Sequence, residues 1–416
     1  MEPSQAVDQS PYARPSFEDM EGKPKHLIKT AEEGSIQIKF NRLAGYILGW
    51  LTNGAWLLIY TTTVLYTSEI LMAVVEVSIP QYSSHSKTWH HFLVYVGVWI
   101  NALLVNLPKF FINGAALFVL ITLLVRANPK QSATAVFVSV ANNSGWGSAA
   151  VVFFLNVLPG LASLGTCDAA THMAEELELP TRDMPRVIIW SALLNYLVAI
   201  LTMTIFLFCI INPEAMLSPV GGQPLIQLLS DGYTSTVLTA IAGALIVVGF
   251  AIGSWAALVS WSRLYWSFLR TNGFPFSNFT ERTTDGVPVN ALILGTVLTI
   301  VIGAIQLGST TALKAVLGGA SLCSGFSWIV IFSIRVWRGN DALDPQRWLN
   351  LGKWGRPLSG FAILWNMWTI TSASFPLFLP VTLSSMNWSS LVAVGVVVIS
   401  YVYYILFYRH RSDEME

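Results

Sequence analysis

Apolar stretches of about 20 residues, separated by short polar segments, recur along the chain from residue 43 to residue 408. A helix needs about 20 predominantly apolar residues to cross the hydrocarbon core of a bilayer. The pattern predicts ten spans, at 43–75, 90–107, 110–127, 147–174, 187–211, 235–262, 288–307, 312–335, 358–381 and 386–408. The first span is too long for one helix perpendicular to the membrane. We therefore expect it to be tilted or to have its ends in the interface.

Composition agrees with this pattern. Hydrophobic residues make up 54% of the 416 residues and charged residues only 11%, whereas a soluble domain carries about 25% charged residues. The predicted fold class is an all-α polytopic membrane protein. Residues 1–40 are polar and contain four prolines, so we expect a disordered cytoplasmic tail. It would be followed by a transmembrane domain at 41–410 and a short cytoplasmic tail at 411–416.

The distribution of positive charge predicts the orientation, because cytoplasmic loops carry an excess of Lys and Arg. If the amino terminus is cytoplasmic, only four of the 23 lysines and arginines fall in outer segments, namely Lys87, Arg126, Lys130 and Lys314. We therefore expect both termini in the cytoplasm. The plasma membrane is favoured over the vacuolar membrane as the location.

The fourth predicted span contains an interruption. An apolar run from Ala149 to Leu164 meets Gly165, Thr166 and Asp168 before the apolar pattern resumes. A carboxylate inside a membrane segment is costly, because lipid offers polar groups no partner. Secondary transporters tolerate such breaks where the freed backbone lines a binding site. The alternative is that Asp168 caps the cytoplasmic end of an ordinary helix.

Other polar residues in the spans each allow two interpretations. Lys109 is either a coupling charge or an interfacial anchor, and His172 with Glu175 forms either a proton relay or a solvated helix end. Ser254, next to Trp255, either supplies a hydroxyl to a solute or donates to its own helix backbone. The small residues at 318–321 favour close helix packing first and a gate second. Residues 53–56 are explained by packing at least as well as by contact with a substrate.

Several function classes have no support in the sequence. The phosphate-binding pattern G-x-x-x-x-G-K-[ST] is absent, as are the H-E-x-x-H and G-x-S-x-G hydrolase motifs. The three cysteines show no disulfide or metal-ligand spacing. We therefore expect no enzyme activity, no cofactor, no metal site and no nucleic-acid partner. The expected partners are the lipid bilayer and a small-molecule substrate.

Three blocks of sequence resemble a known family. The segment 165–176, with Pro180, Thr181, Asp183, Pro185, Arg186 and Ile188, is similar to the sixth helix and following loop of amino acid–polyamine–organocation (APC) permeases. The similarity is greatest to the fungal branch that carries GABA, choline and other amino acids. A second block at 262–277 resembles the signature after the eighth helix of the family, and 287–291 resembles the start of the ninth.

The resemblance implies a LeuT-like inverted-repeat fold of twelve helices and secondary transport of amino acids or small amines such as GABA or choline, with a co-transported proton. It implies substrate contacts from Ser163, Gly165, Thr166, Cys167, Asp168, Ser254 and Trp255, and coupling through Lys109, His172 and Glu175. Because the family's first two helices have no counterpart here, the ten spans would correspond to helices 3–12. The hypothesis is a truncated permease with impaired transport. The alternative is a non-transporting sensor or an inactive relic.

Overall fold

The structure, a computed structural model, describes residues 42–102, 109–140, 142–164, 167–176, 179–269, 273–274, 288–308, 310–339, 347–383 and 386–408. No strand occurs in these ranges. The α-helices are α1 (Arg42–Ser78), α2 (Thr88–Ala102), α3 (Lys109–Arg126), α4 (Ala133–Phe137), α5 (Ala149–Leu164), α6 (Pro180–Cys209), α7 (Pro224–Tyr233), α8 (Thr236–Leu269), α9 (Val289–Gly303), α10 (Thr310–Arg338), α11 (Gly355–Ser374) and α12 (Ser389–Tyr403).

Each of the ten predicted spans overlaps a helix, and the all-α membrane fold is confirmed. Within the described residues, six helices are long and apolar enough to cross a membrane, at 43–78, 180–209, 236–269, 289–307, 318–338 and 389–408. Helix α6 begins seven residues earlier than predicted, with Pro180 in its first turn. Proline is favoured there because its missing N–H leaves no intrahelical hydrogen bond unmade. The buried helix α7 was not predicted.

Helix α1 is the central element of the transmembrane domain. Of the 18 residues in its most apolar stretch, 61% are buried, whereas the corresponding share for α6 is 6%. Helix α1 is therefore surrounded by protein, while α6 lies at the periphery. Apolar side chains of α1 pack against α8 through Leu258 and Trp261, and against α10 and α12 through Leu322 and Ala393. This position allows α1 to supply side chains to an internal cavity.

Several polar side chains of α1 are satisfied within the helix itself. The hydroxyls of Thr61, Thr62 and Thr67 each donate to the carbonyl four residues earlier, at 2.9, 2.7 and 2.6 Å. Such back-bonding removes the cost of placing a hydroxyl in an apolar environment. A threonine-rich sequence can therefore form a central membrane helix.

The predicted interruption of the fourth span is present. Helix α5 ends at Leu164, and the chain continues as a 3-10 helix over Cys167–Glu176, here called the 3-10 segment. Gly165 and Thr166 lie outside the described residues. Runs of 3-10 helix longer than three or four residues are uncommon and often mark functional positions. The 3-10 segment packs against α6 and α8, which hold it inside the bundle.

The small residues at 318–321 bring α10 and α12 together, as the packing interpretation predicted. A Cβ at Gly318 would collide with Ser389 of α12, and one at Gly319 would lie 2.6 Å from Cγ1 of Val392. Both positions require glycine because α12 occupies the space of the missing side chain.

Candidate functional site

A cavity of about 110 Å³ lies between α1, the 3-10 segment and α10. Ten residues from these three elements line it: Thr52, Ala55, Trp56, Asp168, Thr171, His172, Ser324, Ser327, Trp328 and Ile331. Pockets for drug-sized ligands measure about 300–1,000 Å³. The smaller volume here suits a small metabolite.

Each element presents one face to the cavity. On α10 the lining residues are Ser324, Ser327, Trp328 and Ile331, whose spacing of three and four residues aligns them on one side of a helix. In the 3-10 segment, Asp168 and Thr171 are three residues apart, which is one turn of a 3-10 helix. The change from α to 3-10 geometry after Leu164 thus aligns a carboxylate and a hydroxyl on one face.

Trp56, Asp168 and His172 form the polar group at the 3-10 side of the cavity. The indole N–H of Trp56, the single polar atom of that side chain, interacts with the Asp168 carboxylate. The ring of Trp56 meets the imidazole of His172 edge to face, with centroids 5.0 Å apart. Trp56 is only 3% exposed, so α1 holds this ring firmly in place. It therefore orients both titratable residues of the cavity.

Hydroxyl groups connect α1 and α10 on the opposite side of the cavity. The Oγ1 atom of Thr52 lies 3.2 Å from Oγ of Ser327 and 2.9 Å from the carbonyl oxygen of Leu48. The Ser327 hydroxyl in turn donates to the carbonyl of Cys323 at 2.9 Å. These hydroxyls retain acceptor capacity toward a ligand, because each oxygen carries two lone pairs.

The charge of the cavity is set by Asp168. No lysine or arginine is among the described residues that line it. The Nε2 atom of His172 is buried and has no hydrogen-bond partner in the described part of the chain. The site therefore combines one carboxylate, two indoles, an imidazole and several hydroxyls. Such a lining complements a small solute with a positively charged end.

The structure brings two of the sequence-predicted site residues into the cavity, Asp168 and His172. Ser254 and Trp255 do not line it. Ser254 is buried in α8, where its hydroxyl donates to the carbonyl of Ala251 at 2.7 Å, the back-bonded alternative of the sequence analysis. Gly165 lies outside the described residues. The same holds for Thr166, and for the side chains of Ser163, Cys167, Lys109 and Glu175.

Eight lining residues were not predicted as site residues. For Trp56 the sequence left packing and substrate contact both open, and the residue both packs in the core and lines the cavity. On α10, the recurrence of Ser324, Ser327 and Trp328 on one helix face was a usable signal. It could not be distinguished from ordinary helix packing without knowing that α10 faces the 3-10 segment.

Comparison with known proteins agrees with this architecture. The sequence model of the amino acid permease family matches residues 36–399. The chain is 26% identical to the choline transporter of Saccharomyces cerevisiae over 392 residues, covering 90% of this chain and 68% of the relative. It is 26% identical to amino-acid permease 2 of Neurospora crassa over 388 residues, covering 88% and 69%.

A plant relative is more distant. The amino-acid permease BAT1 of Arabidopsis thaliana is 23% identical over 338 residues, which is 77% of this chain and 65% of the relative. The family match spans the helices that build the cavity, from α1 through the 3-10 segment to α10. The chain is thus a multi-pass integral membrane protein that belongs to the amino acid permease family of the APC superfamily.

Proposed function

We propose that this chain is a secondary active carrier that moves an amino acid or a related small amine, such as GABA or choline, across a membrane. The relatives include a choline transporter and amino-acid permeases, which supports this class of solute. The observation that carries the proposal is the Asp168 carboxylate, which lines a cavity beside Trp56 just after the interruption of a membrane span.

The positively charged end of the solute binds at Asp168. A carboxylate away from water needs a counter-charge, and no described residue that lines the cavity is a lysine or an arginine. An ammonium or quaternary ammonium group supplies that charge. Trp56 and Trp328 line the same cavity, and indole is the side chain that attracts organic cations most strongly.

The other end of the solute faces the hydroxyls of Thr52, Ser324 and Ser327 on α1 and α10. A solute hydroxyl can donate to Thr52 or Ser327, whose own protons are already donated to helix carbonyls, and a solute carboxylate can accept from Ser324. Gly165, Thr166 and Cys167 precede Asp168 directly in the chain. We include them as proposed backbone contacts.

A co-transported proton supplies the driving force in this proposal. His172 is the proposed carrier group, because its Nε2 atom is buried beside Asp168 and lacks a hydrogen-bond partner among the described residues. Lys109 and Glu175 remain further proposed coupling residues. The proposed orientation has both termini in the cytoplasm and the chain in the plasma membrane.

Uptake and binding of radiolabelled choline, GABA and a mixture of amino acids test the proposal. We expect saturable uptake of at least one of these solutes by cells expressing the chain, and stronger uptake into vesicles under an inward proton gradient. A protonophore should remove that stimulation. Saturable binding to the purified protein with no uptake would support the alternative of a non-transporting sensor. Absence of both binding and uptake would contradict the proposed site.

A further inference from the structure

Basic side chains converge where α10 ends and α11 begins. Arg335 and Arg338 lie in the last turn of α10, and Lys353 and Arg356 flank the first residue of α11. Arg335 lies within electrostatic range of Arg356 and of Arg347 in the connecting segment. We call this set of residues, Arg335, Arg338, Gly339, Lys353 and Arg356, the α10–α11 corner.

Two glycines lie directly beside guanidinium groups of this corner. Gly339 adopts a left-handed conformation with φ of 70°, and a Cβ added there would collide with the guanidinium of Arg356. A Cβ at Gly355 would in the same way collide with the guanidinium of Arg335. Arg335 also donates from Nη1 to the carbonyl of Gly339 at 3.1 Å. Both guanidinium groups therefore lie against backbone, while the Arg356 side chain as a whole is exposed.

Exposed tryptophans surround the corner. Trp337 is 70% exposed and Trp354 is 62% exposed, and each is adjacent in sequence to a basic residue of the corner. Trp348 receives the guanidinium of Arg186 from α6 at 4.8 Å from its ring centroid. Tryptophan beside lysine and arginine is typical of the headgroup level of a membrane.

The sequence of this region contains more basic than acidic residues. From Arg335 to Arg356 the sequence contains five lysines and arginines and two acidic residues, Asp341 and Asp344. Orientation of the chain requires positive charge on this side of the membrane, but it does not require guanidinium groups that lie against glycines. A planar guanidinium is suited to bidentate binding of phosphate.

We propose that the α10–α11 corner binds the headgroup of an anionic glycerophospholipid of the cytoplasmic leaflet. The phosphate lies among Arg338, Lys353 and Arg356, and the acyl chains extend along Trp337 and Trp354. The proposal is independent of the solute that the carrier moves. It requires only the charge-based orientation, in which this end of α10 faces the cytoplasm, where anionic lipids are enriched.

Binding of dioctanoyl phosphatidylserine to the purified chain in uncharged detergent, measured by thermophoresis, tests this proposal. We expect saturable binding that dioctanoyl phosphatidylcholine does not reproduce. In the variant Arg338→Gln/Lys353→Gln, affinity should fall about 30-fold, since each basic side chain near a charged membrane surface contributes about fivefold. Arg356→Lys keeps the charge but loses the planar fork, so it should also bind several-fold more weakly.

The matched control is Lys87→Gln/Lys130→Gln, which removes two exposed charges at the other end of the bundle. Helices α1 and α10 are antiparallel, because Thr52 meets Ser327 while Leu58 meets Ala320. The segment after α1 is therefore remote from the corner. Equal loss in both double variants, or unchanged binding in Arg356→Lys, would overturn the proposal. So would glycerophosphoserine binding as tightly as the lipid, because that result identifies a site for a free phosphate.

Discussion

The rings of Trp56 and His172 meet edge to face at 5.0 Å between centroids, with an interplanar angle of 86°. Trp56 belongs to the central helix and His172 to the 3-10 segment, so this contact joins the two parts of the cavity that carry its aromatic and titratable groups. The same indole interacts through its N–H with Asp168. One tryptophan thus orients both the carboxylate and the imidazole.

Replacing Trp56 by phenylalanine removes the N–H and keeps an aromatic ring. We expect the affinity for the transported solute to fall about tenfold, because the indole no longer orients the Asp168 carboxylate and a phenyl ring attracts an organic cation less strongly than indole does. The measurement is the Kd of the purified protein. Trp89→Phe is the control, since Trp89 also meets a histidine edge to face, at 3.9 Å from His90, but does not line the cavity. Equal effects of the two variants would argue against a specific role for Trp56.

Asp168→Asn removes the negative charge of the cavity and keeps its shape. Uptake at subsaturating solute should fall at least about tenfold, since the solute's cation loses its charged partner. Asp231→Asn is the matched control. Asp231 accepts a hydrogen bond from Nε2 of Gln227 at 2.8 Å outside the cavity, and an asparagine oxygen can accept the same bond. Kinetics of Asp168→Asn equal to those of the parent chain would exclude this carboxylate from the site.

Variants of two buried serines test whether the solute binds in the observed cavity or at the face of α8 that the sequence suggested. Ser327 and Ser254 both donate to their own helix, to Cys323 at 2.9 Å and to Ala251 at 2.7 Å, but only Ser327 lines the cavity. Ser327→Ala should weaken solute binding about fivefold by removing one hydrogen-bonding group. Ser254→Ala should change the solute affinity by less than about twofold, because the substitution removes only a hydrogen bond from the serine to its own helix backbone. If Ser254→Ala raised the measured Kd more than Ser327→Ala, the solute site would lie at α8 instead.

The contact of α10 with α12 predicts a stability effect at Gly319. Gly319→Ala should lower the free energy of unfolding by about 1–3 kcal/mol, because the new methyl group overlaps Val392. The measurement is thermal unfolding of the purified protein in detergent. Gly395→Ala in α12 is the control, since nothing lies within 4 Å of a Cβ at that position. At position 395 the substitution should leave the free energy of unfolding unchanged or raise it, because alanine is more favourable than glycine in a helix by up to about 1 kcal/mol.

The sequence by itself determined the features that depend on residues near one another in the chain. Long apolar runs require helices that cross a bilayer, because the backbone must satisfy its own hydrogen bonds in lipid. The glycine, threonine and aspartate after Leu164 predicted the interruption, and Gly318 and Gly319 predicted a close helix contact. Each is a local property, so each could be read without knowing the neighbours of any helix.

Only the tertiary structure decided which helix is central and which side chains meet. The polar residues of α1 are not confined to one face, so its pattern does not reveal that it is surrounded by protein while α6 faces outward. The pairing of Thr52 with Ser327 joins residues 275 positions apart. Sequence reasoning selected Ser254 as the hydroxyl that contacts a solute, whereas in the structure it is Ser327 that lines the cavity. Packing separates them, since α10 faces the 3-10 segment across the cavity while the hydroxyl of Ser254 is satisfied within α8.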